Sequence, residues 1–376
     1  MIRLLKLTAT FMIALTLGLM TSLVMSQPST AAPVPRTDAL QATSATLITA
    51  TVPNTYLHRT ATISYARIIS DDVAVYTSPL ALEQGLSPTR TMRNGFLFVS
   101  LYNPTPISSS TGLWYQINEE EFVHQNVITY VQGSVFQGTP VITQPELRFG
   151  WIIHDTPVLS TPDPEPTPTD ILGWPMADRH ATENTSFIPR YTKVTIYEYS
   201  PLGSWGWYRI GENEWVHLYD VGVVDLKERP AEIPAGDRWV TVDLFDQTMA
   251  AYNEQDEMVY ATLISSGRQV EGWRTPPGIF QIYKKVKMAR MRGGGRSDFY
   301  FIEDVQNTLY FHEGYAFHAA YWHDDFGRYK SHGCVNMTDA DSEWLFNWAT
   351  PSTAPLDNIT KSKNTDDPPT WVWIYE

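Results

Sequence analysis

Residues 330–337 read Lys-Ser-His-Gly-Cys-Val-Asn-Met, near the C-terminal end of a chain of 376 residues. They contain the single cysteine of the sequence, so Cys334 has no disulfide partner within the chain and is either a small buried group or a functional thiol. The residues just before it are polar or small, which favours an exposed turn over a core position. Gly333 also lets a backbone or a substrate come close to the sulfur. The stretch therefore predicts a nucleophilic cysteine on a turn.

A base must accompany this cysteine, because a thiol of ordinary pKa is only slightly ionised at neutral pH. No histidine follows Cys334, and the nearby candidates all lie upstream: His312, His318, His323 and His332. This order argues against papain-like and NlpC-type peptidases, in which the cysteine precedes the histidine.

Two motifs in a fixed order point to one family. Residues 317–322 (Phe-His-Ala-Ala-Tyr-Trp), followed by Ser-His-Gly-Cys-Val-Asn-Met at 331–337, resemble the signature of the L,D-transpeptidase (YkuD-type) catalytic domain. Phe-Gly at 326–327 and Thr-Pro-Pro-Gly at 275–278 also fit this pattern. The resemblance runs from about Arg238 to the C-terminus, a little over a third of the chain.

The resemblance implies roles for individual residues. Cys334 attacks a peptide carbonyl and forms a thioester, and His318 takes the thiol proton and later returns it. The carbonyl of Ala319 orients the imidazole, at a position where many relatives have Gly or Ser. The backbone N–H groups of Gly333 and Cys334 are the expected oxyanion donors.

Five further residues around this pair have expected supporting roles. His332 competes with His318 as the base, but an extended backbone turns it away from the thiol, so we expect it to orient the substrate or the loop. Ser331 is expected to stabilise the loop by a hydrogen bond, and Asn336 to hold the turn or contact the substrate. Tyr310 and Tyr315 either line the pocket or pack in the core.

A metal site is the alternative interpretation of the upstream histidines. His312 and His318 differ by six positions, which would place them on one face of a strand, whereas His323 lies beyond a tryptophan in a turn. This spacing matches no common zinc pattern, so we predict no metal and no other cofactor.

The composition indicates a mainly β protein, because aromatic residues make up 13% of the chain and Gly and Pro recur throughout. The net charge is −14, with 27 basic and 41 acidic residues. An acidic balance of this kind lacks the excess of basic residues that binding to nucleic acid or to anionic lipid requires. We therefore predict no nucleic-acid partner.

The N-terminus resembles an export signal. Residues 1–32 have a basic start, an apolar stretch and small residues suited to cleavage, which predicts a signal peptide. An uncleaved signal anchor is the alternative, since the apolar stretch is just long enough to span a membrane, and it would be the sole membrane link. Residues 33–60, rich in Thr, Ala and Pro, predict a flexible linker. The location is thus predicted to be extracytoplasmic.

An internal repeat occupies the middle of the chain. Residues 114–124 match 207–217 at an offset of 93, and 68–71 match 152–155 at an offset of 84. The difference implies extra sequence inside the second copy. The candidate is the proline run at 161–168, interpreted as a loop insertion rather than an interdomain linker.

Each copy ends in a Trp-Tyr-x-Ile, turn, Phe/Trp-Val pattern that resembles bacterial SH3-like domains. The resemblance implies two small β-barrels, repeat 1 at 61–145 and repeat 2 at 146–228, that bind cell-wall polymer or space the catalytic domain. His124 and His217 occupy equivalent positions, so we predict structural roles for both.

The catalytic domain is predicted at 237–376, as a β-sandwich-like fold with a short helix after Cys334. Residues 309–317 are expected to form one strand that delivers His318. Residues 338–341 (Thr-Asp-Ala-Asp) resemble a capping box that opens the helix. Ala340, Trp344 and Trp348 are expected to form its buried stripe.

The implied activity is a secreted transpeptidase acting on the stem peptides of peptidoglycan. A neighbouring stem amine as acceptor would give a 3→3 cross-link, whereas water would make the enzyme an L,D-carboxypeptidase. A third possibility is a non-catalytic cell-wall-binding protein. The sequence does not choose between the first two, because the acceptor groove is a matter of shape.

Overall fold

The computed structural model describes residues 63–162, 186–202, 205–295, 298–354 and 357–376. The predicted signal peptide, the predicted linker and most of the proline run lie outside these ranges. All described residues belong to one compact unit, Thr60–Glu376. Within the described ranges, no helix has the length and apolar character needed to span a bilayer.

The two repeats are built from short strands. The first copy and the segment after it contain β1 (Ser64–Ile68), β2 (Val73–Val75), β3 (Arg90–Met92), β4 (Phe96–Leu101), β5 (Asn103–Ser109), β6 (Gly112–Asn118), β7 (Glu121–His124), β8 (Ile128–Val131) and β9 (Thr139–Pro140). The second copy contains β10 (Phe149–Ile152), β11 (Thr156–Val158), β12 (Ser186–Ile188), β13 (Lys193–Thr195), β14 (Glu198–Leu202), β15 (Trp205–Gly211), β16 (Glu214–His217) and β17 (Val221–Val224).

The same pairing recurs in both copies. β1 lies between β4 and β8, and β10 lies between β13 and β17 in the same antiparallel arrangement. The sheets β5-β6-β7 and β14-β15-β16 also correspond. His124 and His217 each cap a 3₁₀ turn by accepting a backbone N–H two residues on, at 3.4 Å, which supports structural roles for both. The described strands form no closed barrel, so the SH3-like barrels are not confirmed.

The C-terminal region contains the remaining strands and one α-helix. These are β18 (Trp239–Asp243), β19 (Thr248–Tyr252), β20 (Met258–Leu263), β21 (Gly278–Gln281), β22 (Lys284–Gly293), β23 (Tyr300–His312), β24 (Tyr315–Ala319), β25 (Val335–Met337), α1 (Asp339–Trp348), β26 (Ile359–Lys361) and β27 (Trp371–Tyr375).

Two sheets enclose the main core of this region. One has the order β21-β27-β18-β19-β20-β9, and the other contains β25-β24-β23 with β22 and β26. Their shared cluster includes side chains from β18, β19 and β27 on one side and from β23, β24 and β25 on the other, with the inner face of α1. This arrangement agrees with the predicted sandwich-like fold, in which two apolar faces bury each other.

Repeat 1 continues the sheet that carries the candidate site. β4 pairs in parallel with the start of β23, so that Phe96, Leu97 and Phe98 oppose Tyr300, Phe301 and Ile302. At the opposite sheet, β9 pairs with β20 through Thr139 and Pro140. The region predicted as repeat 1 therefore contributes strands to both sheets of the C-terminal region.

Two local predictions are wrong. The chain turns at Glu313–Gly314, so residues 309–317 belong to two antiparallel strands, β23 and β24, instead of one. In α1 the buried residues are Asp341, Ser342, Leu345 and Phe346, whereas Ala340 is exposed. The two tryptophans of the helix, Trp344 and Trp348, are only partly buried and pack against the core, where Trp344 stacks on Tyr260 with 4.0 Å between ring centroids.

The helix after the cysteine strand is fixed at both ends. Thr338 is its N-cap and accepts the Asp341 N–H at 3.1 Å, as the capping signal predicted. Asp341 in turn accepts hydrogen bonds from Tyr260, Thr262 and the Gly138 N–H. At the other end, the buried Lys285 donates to the carbonyls of Phe346 and Ala349, both at 2.6 Å. These contacts anchor the strand that follows Cys334.

Candidate active site

Two neighbouring parallel strands bring the histidine and the cysteine together. β24 pairs with β25 so that Phe317 opposes Val335 and His318 opposes Asn336. Phe317 and Val335 lie in the core between the sheets. Because side chains alternate along a strand, His318 points to the other face of the strand pair. Cys334 lies in the bend just before β25, two residues before the residue that His318 opposes.

His318 is held in a buried position, 2% exposed. Its Nδ1 lies 2.9 Å from the carbonyl oxygen of Ala319, which is the contact predicted from the sequence. A carbonyl only accepts, so Nδ1 carries the proton and Nε2 keeps a lone pair. Burial lowers the pKa of His318 to about 4, with the Ala319 hydrogen bond opposing that shift. The imidazole is therefore neutral at neutral pH and able to accept a proton.

Cys334 is partly exposed and lies just before β25. Burial of the sulfur raises the pKa of the Cys334 thiol to about 11. Two tyrosines of β23 lie close enough to respond to a thiolate, because burial and then the charge of Cys334 raise the pKa of both Tyr300 and Tyr310. At rest, the pair is thus a neutral thiol beside a neutral imidazole.

Ser331 stabilises the cysteine loop, as predicted. Its Oγ accepts the Gly333 N–H at 2.9 Å and donates to the Cys334 carbonyl at 2.5 Å. The Gly333 N–H is therefore engaged within the loop, and its role as an oxyanion donor stays a prediction. The backbone N–H of Cys334 is the other candidate from this loop.

Gly333 itself is required by geometry. Its φ of +123° lies in a region that favours glycine, and a Cβ there would meet the Tyr315 ring at 2.5 Å. Tyr315 thus packs against the loop, whereas Tyr310 lies half-buried with the Lys284 ammonium 3.9 Å from its ring centroid.

A threonine that the sequence marked only as part of a turn ties this loop to its neighbour. Thr275 donates to the Gly333 carbonyl at 2.7 Å and accepts the Gly267 N–H at 2.9 Å. A Cβ on Gly267 would lie 2.8 Å from the Gly333 Cα, so the two segments pack backbone against backbone. The Thr-Pro-Pro-Gly motif indicated a turn at this position. It did not indicate that Thr275 would bond to the Gly333 carbonyl.

The ring neighbours of His332 differ from those of His318. Its ring lies 3.9 Å from the centroid of Trp273 and 5.4 Å from that of Tyr300. The Arg268 guanidinium lies 4.3 Å from the Trp273 centroid. Burial, and then the charge of Arg268, lower the pKa of His332. This stacking agrees with a supporting role for His332.

Asn336 opposes His318 and is buried. Its carboxamide nitrogen lies 2.9 Å from His323 Nε2, and its backbone exchanges two hydrogen bonds with Ser265. His323 Nδ1 accepts the Asp325 N–H at 3.2 Å. Asn336 therefore holds the turn, one of its two predicted roles, with His323 as its partner.

A cavity of about 590 Å³ adjoins the cysteine loop. Its lining includes Thr275, Arg274, Glu271 and Tyr315. Two of these contact Gly333, but neither Cys334 nor His318 lines the cavity itself. Across the described ranges, no group of three or more His, Cys, Asp or Glu side chains is arranged to hold a metal ion.

The sequence of residues 237–365 matches the family model of YkuD, the L,D-transpeptidase catalytic domain. No curated protein matches the chain. A crystal structure of a mutant Enterococcus faecium L,D-transpeptidase is similar, with 23% identity, 37% of this chain and 50% of that chain covered, and a TM-score of 0.29. This chain thus spans about half the length of that relative.

Two further solved structures are similar over different extents. The catalytic domain of the E. faecium enzyme is 23% identical, with 37% of this chain and 98% of that chain covered and a TM-score of 0.29. An L,D-transpeptidase from Mycobacterium smegmatis is 15% identical, with 65% and 94% covered and a TM-score of 0.30. Residues 237–365, which carry His318 on β24 and Cys334 just before the neighbouring β25, are thus similar in sequence to the YkuD L,D-transpeptidase catalytic domain.

Proposed function

We propose that this chain is a secreted peptidoglycan L,D-transpeptidase that forms 3→3 cross-links through a thioester on Cys334. The observation that carries the proposal is the pairing of β24 with β25, which sets His318 opposite Asn336, two residues after Cys334. The YkuD match over 237–365 supports a stem peptide as the substrate.

Acylation begins with the neutral pair. His318 Nε2 takes the proton of the Cys334 thiol as sulfur attacks the carbonyl of the donor stem, forming a C–S bond and an oxyanion. The raised pKa of the thiol and the lowered pKa of the imidazole both oppose charge separation before substrate binds. Proton transfer is therefore coupled to attack on the carbonyl, when the developing oxyanion is also stabilised.

The Cys334 N–H is the proposed oxyanion donor of the loop. A single such donor contributes about 3 kcal/mol to transition-state stabilisation in other enzymes. Thr275 holds the peptide plane from which that N–H projects, because it donates to the Gly333 carbonyl. Ser331 contributes indirectly, since its hydrogen bonds to the Gly333 N–H and the Cys334 carbonyl fix the peptide planes on either side.

Collapse of the intermediate breaks the peptide C–N bond. The leaving amine takes the proton from His318 Nε2, and the thioester remains on Cys334. An acceptor amine then attacks the thioester, loses a proton to His318, and displaces the sulfur, which recovers its proton. The tautomer set by the Ala319 carbonyl keeps Nε2 as the working nitrogen through both halves of the reaction.

Incubation with disaccharide-tetrapeptide muropeptides, followed by mass analysis, tests the proposal. Cross-linked dimers with loss of the terminal residue are the expected product, and Cys334→Ala should give none. Trimmed monomers without dimers would instead identify an L,D-carboxypeptidase on the same scaffold. Absence of both products, with a thiol that no carbapenem acylates, would leave a non-catalytic wall protein.

The remaining parts of the proposal concern location and the repeats. An export signal at 1–32 and a linker at 33–60 would place the enzyme outside the cytoplasm. We also propose that the two repeats are SH3-like modules that contact cell-wall polymer. Support for this comes from their shared strand order and from the Trp-Tyr positions that the two copies have in common. Sedimentation of the full chain with purified sacculi tests this part.

A further inference from the structure

We propose that the two repeats form part of the active site. They clamp the segment 320–330, which connects His318 to the cysteine loop in the sequence. Arg190 and Tyr191 of repeat 2 are positioning residues for the reaction. The inference rests on the proposed function. It differs from the role of spacer or wall-binding module, since it makes residues of the repeats determine the rate of chemistry.

Repeat 1 holds the first part of the segment. Tyr65 of β1 stacks on Tyr321 with 3.5 Å between centroids, and Phe98 of β4 packs at the edge of Tyr321, 6.1 Å from its centroid. The Tyr321 hydroxyl donates to the Glu303 carbonyl at 2.8 Å, and the Tyr65 hydroxyl donates to the Asp304 carbonyl at 3.0 Å. Tyr321 is thereby 2% exposed, three positions after His318.

Repeat 2 holds the middle of the segment through Asp324. The Arg190 guanidinium pairs with the Asp324 carboxylate. The Tyr191 hydroxyl lies 2.9 Å from both the Asp324 carbonyl and one of its carboxylate oxygens. Arg190 also lies 4.3 Å from the Tyr191 ring centroid. Two neighbouring donors of repeat 2 thus converge on one carboxylate of the catalytic region.

A second contact of repeat 2 lies a few residues further on. Arg328 lies 2.9 Å from His154 Nδ1, and His154 Nε2 lies 3.0 Å from the buried carboxylate of Asp220. Between the two contacts, Gly327 packs so closely on Ile153 that a Cβ would meet its side chain at 2.4 Å. Repeat 2 therefore fixes the segment at three successive points.

The clamped segment reaches the His318 ring and the strand that follows Cys334. Trp322 lies 5.6 Å from the His318 ring, measured between centroids. His323 contacts Asn336, which opposes His318 across the strand pair and lies two residues after Cys334. Displacement of the segment therefore moves the wall behind His318 and the support of the cysteine strand together. Small displacements of this kind have large rate effects, since a shift of about 1 Å can cost about 100-fold.

The test compares full-length variants in muropeptide turnover. We expect Arg190→Ala to lower kcat about tenfold or more with little change in KM, because misplacement of the reacting groups slows chemistry without weakening ground-state binding. Arg190→Lys, which keeps a cation at Asp324, should retain most of the rate. Tyr191→Phe should also lower kcat, but by less than Arg190→Ala does. It replaces Arg190→Ala in the test if that variant does not fold.

The matched control is Arg209→Ala. Arg209 pairs with Glu198 inside repeat 2 at 2.9 Å and is as exposed as Arg190, 34% against 33%, but its ion pair does not reach the catalytic region. Thermal unfolding of each variant sets an assay temperature at which all are folded. A kcat for Arg190→Ala within about twofold of that of Arg209→Ala would overturn the inference.

Failure of the proposed function gives a different result. If the wild type neither joins nor trims muropeptides, the clamp is assessed by the pH dependence of Cys334 alkylation with iodoacetamide. We expect Arg190→Ala to move this profile to lower pH, because a loosened segment admits water around the thiol, while Arg209→Ala does not. Superimposable profiles would show that the repeats do not position the site.

Discussion

The two histidines considered as the base for Cys334 occupy opposite kinds of environment. His318 lies on β24, is 2% exposed and has one nitrogen committed to the Ala319 carbonyl. His332 lies on the loop itself, partly exposed, with its ring packed on Trp273 and edge-on to Tyr300.

The comparison shows what a base in this site needs. A general base requires a fixed tautomer and a free lone pair, both of which the Ala319 contact gives to His318. Stacking fixes the plane of the His332 ring but leaves its tautomer open. His332 is two residues from Cys334 yet is the less suitable base, so sequence proximity is a poor guide to catalytic role here.

Removal of the base gives the largest expected effect. We expect His318→Ala to reduce acylation of Cys334 by about 10³-fold or more, the upper range for a lost general base, and Cys334→Ala to abolish it. His332→Ala should keep measurable turnover, within about tenfold of the wild type. The measurement is the rate of thioester formation with a tetrapeptide stem or a carbapenem, followed by mass analysis. Equal rates in His318→Ala and wild type would remove His318 as the base.

The loop that carries His332 and Cys334 gives the next largest effect. Gly333→Ala places a Cβ 2.5 Å from the Tyr315 ring at a φ of +123°, so the loop must shift. A shift of about 1 Å at the nucleophile predicts a loss of about 100-fold in kcat. Gly133→Ala, with only an ordinary contact at 3.4 Å, is the control. The measurement is steady-state kinetics at a temperature at which thermal unfolding shows both variants to be folded. Equal kcat values for Gly333→Ala and Gly133→Ala would contradict the prediction.

The residues that the sequence could identify are those linked by short stretches of chain. Ser331 bonds within three residues of itself, His318 bonds to the next residue, and Thr338 caps the helix that it begins. Local spacing encodes such contacts, which is why these predictions agree with the structure. The repeat was likewise visible because both copies carry the same local pattern.

The residues that the sequence could not identify act across long separations. Thr275 bonds to Gly333 across 58 residues, and Arg190 reaches Asp324 across 134. No periodicity links such pairs, because their contact depends on how sheets and repeats pack. The helix face was misassigned for a related reason. The tryptophans of α1 suggested a buried stripe, but Trp344 stacks on Tyr260 and is only partly buried.

Acid titration extends the comparison to stability. His318 and His323 have folded pKa values lowered to about 4 by burial, from an ordinary value of 6.5. As the pH falls below 6.5, the unfolded chain takes up protons at these positions and the folded protein does not. The stability that they contribute is complete above pH 6.5 and is lost towards pH 4. For each of these histidines, the free energy of unfolding should fall by about 2 kcal/mol between pH 8 and pH 5.

Urea unfolding of wild type and His318→Gln at pH 8, 6 and 5 measures this contribution. Between pH 8 and pH 5, the free energy of unfolding of the variant should fall by about 2 kcal/mol less than that of the wild type, which is the contribution of one histidine. His332→Gln is the internal comparison, because its partly exposed ring should change the pH dependence less. Parallel curves for wild type and His318→Gln would mean that His318 is not held neutral by burial.

The smallest expected effect concerns His332 alone. The charge of Arg268 contributes, after burial, to lowering the pKa of His332, and it does so from the far side of Trp273. Arg268→Gln should therefore raise the pKa of His332 and leave that of His318 unchanged, since no charge of Arg268 contributes to the low pKa of His318. Titration of the histidine ring protons by NMR measures both groups in one experiment. A pKa of His318 that moved together with that of His332 would mean that the two histidines share one electrostatic environment, and the distinction between a committed base and a stacked support would no longer hold.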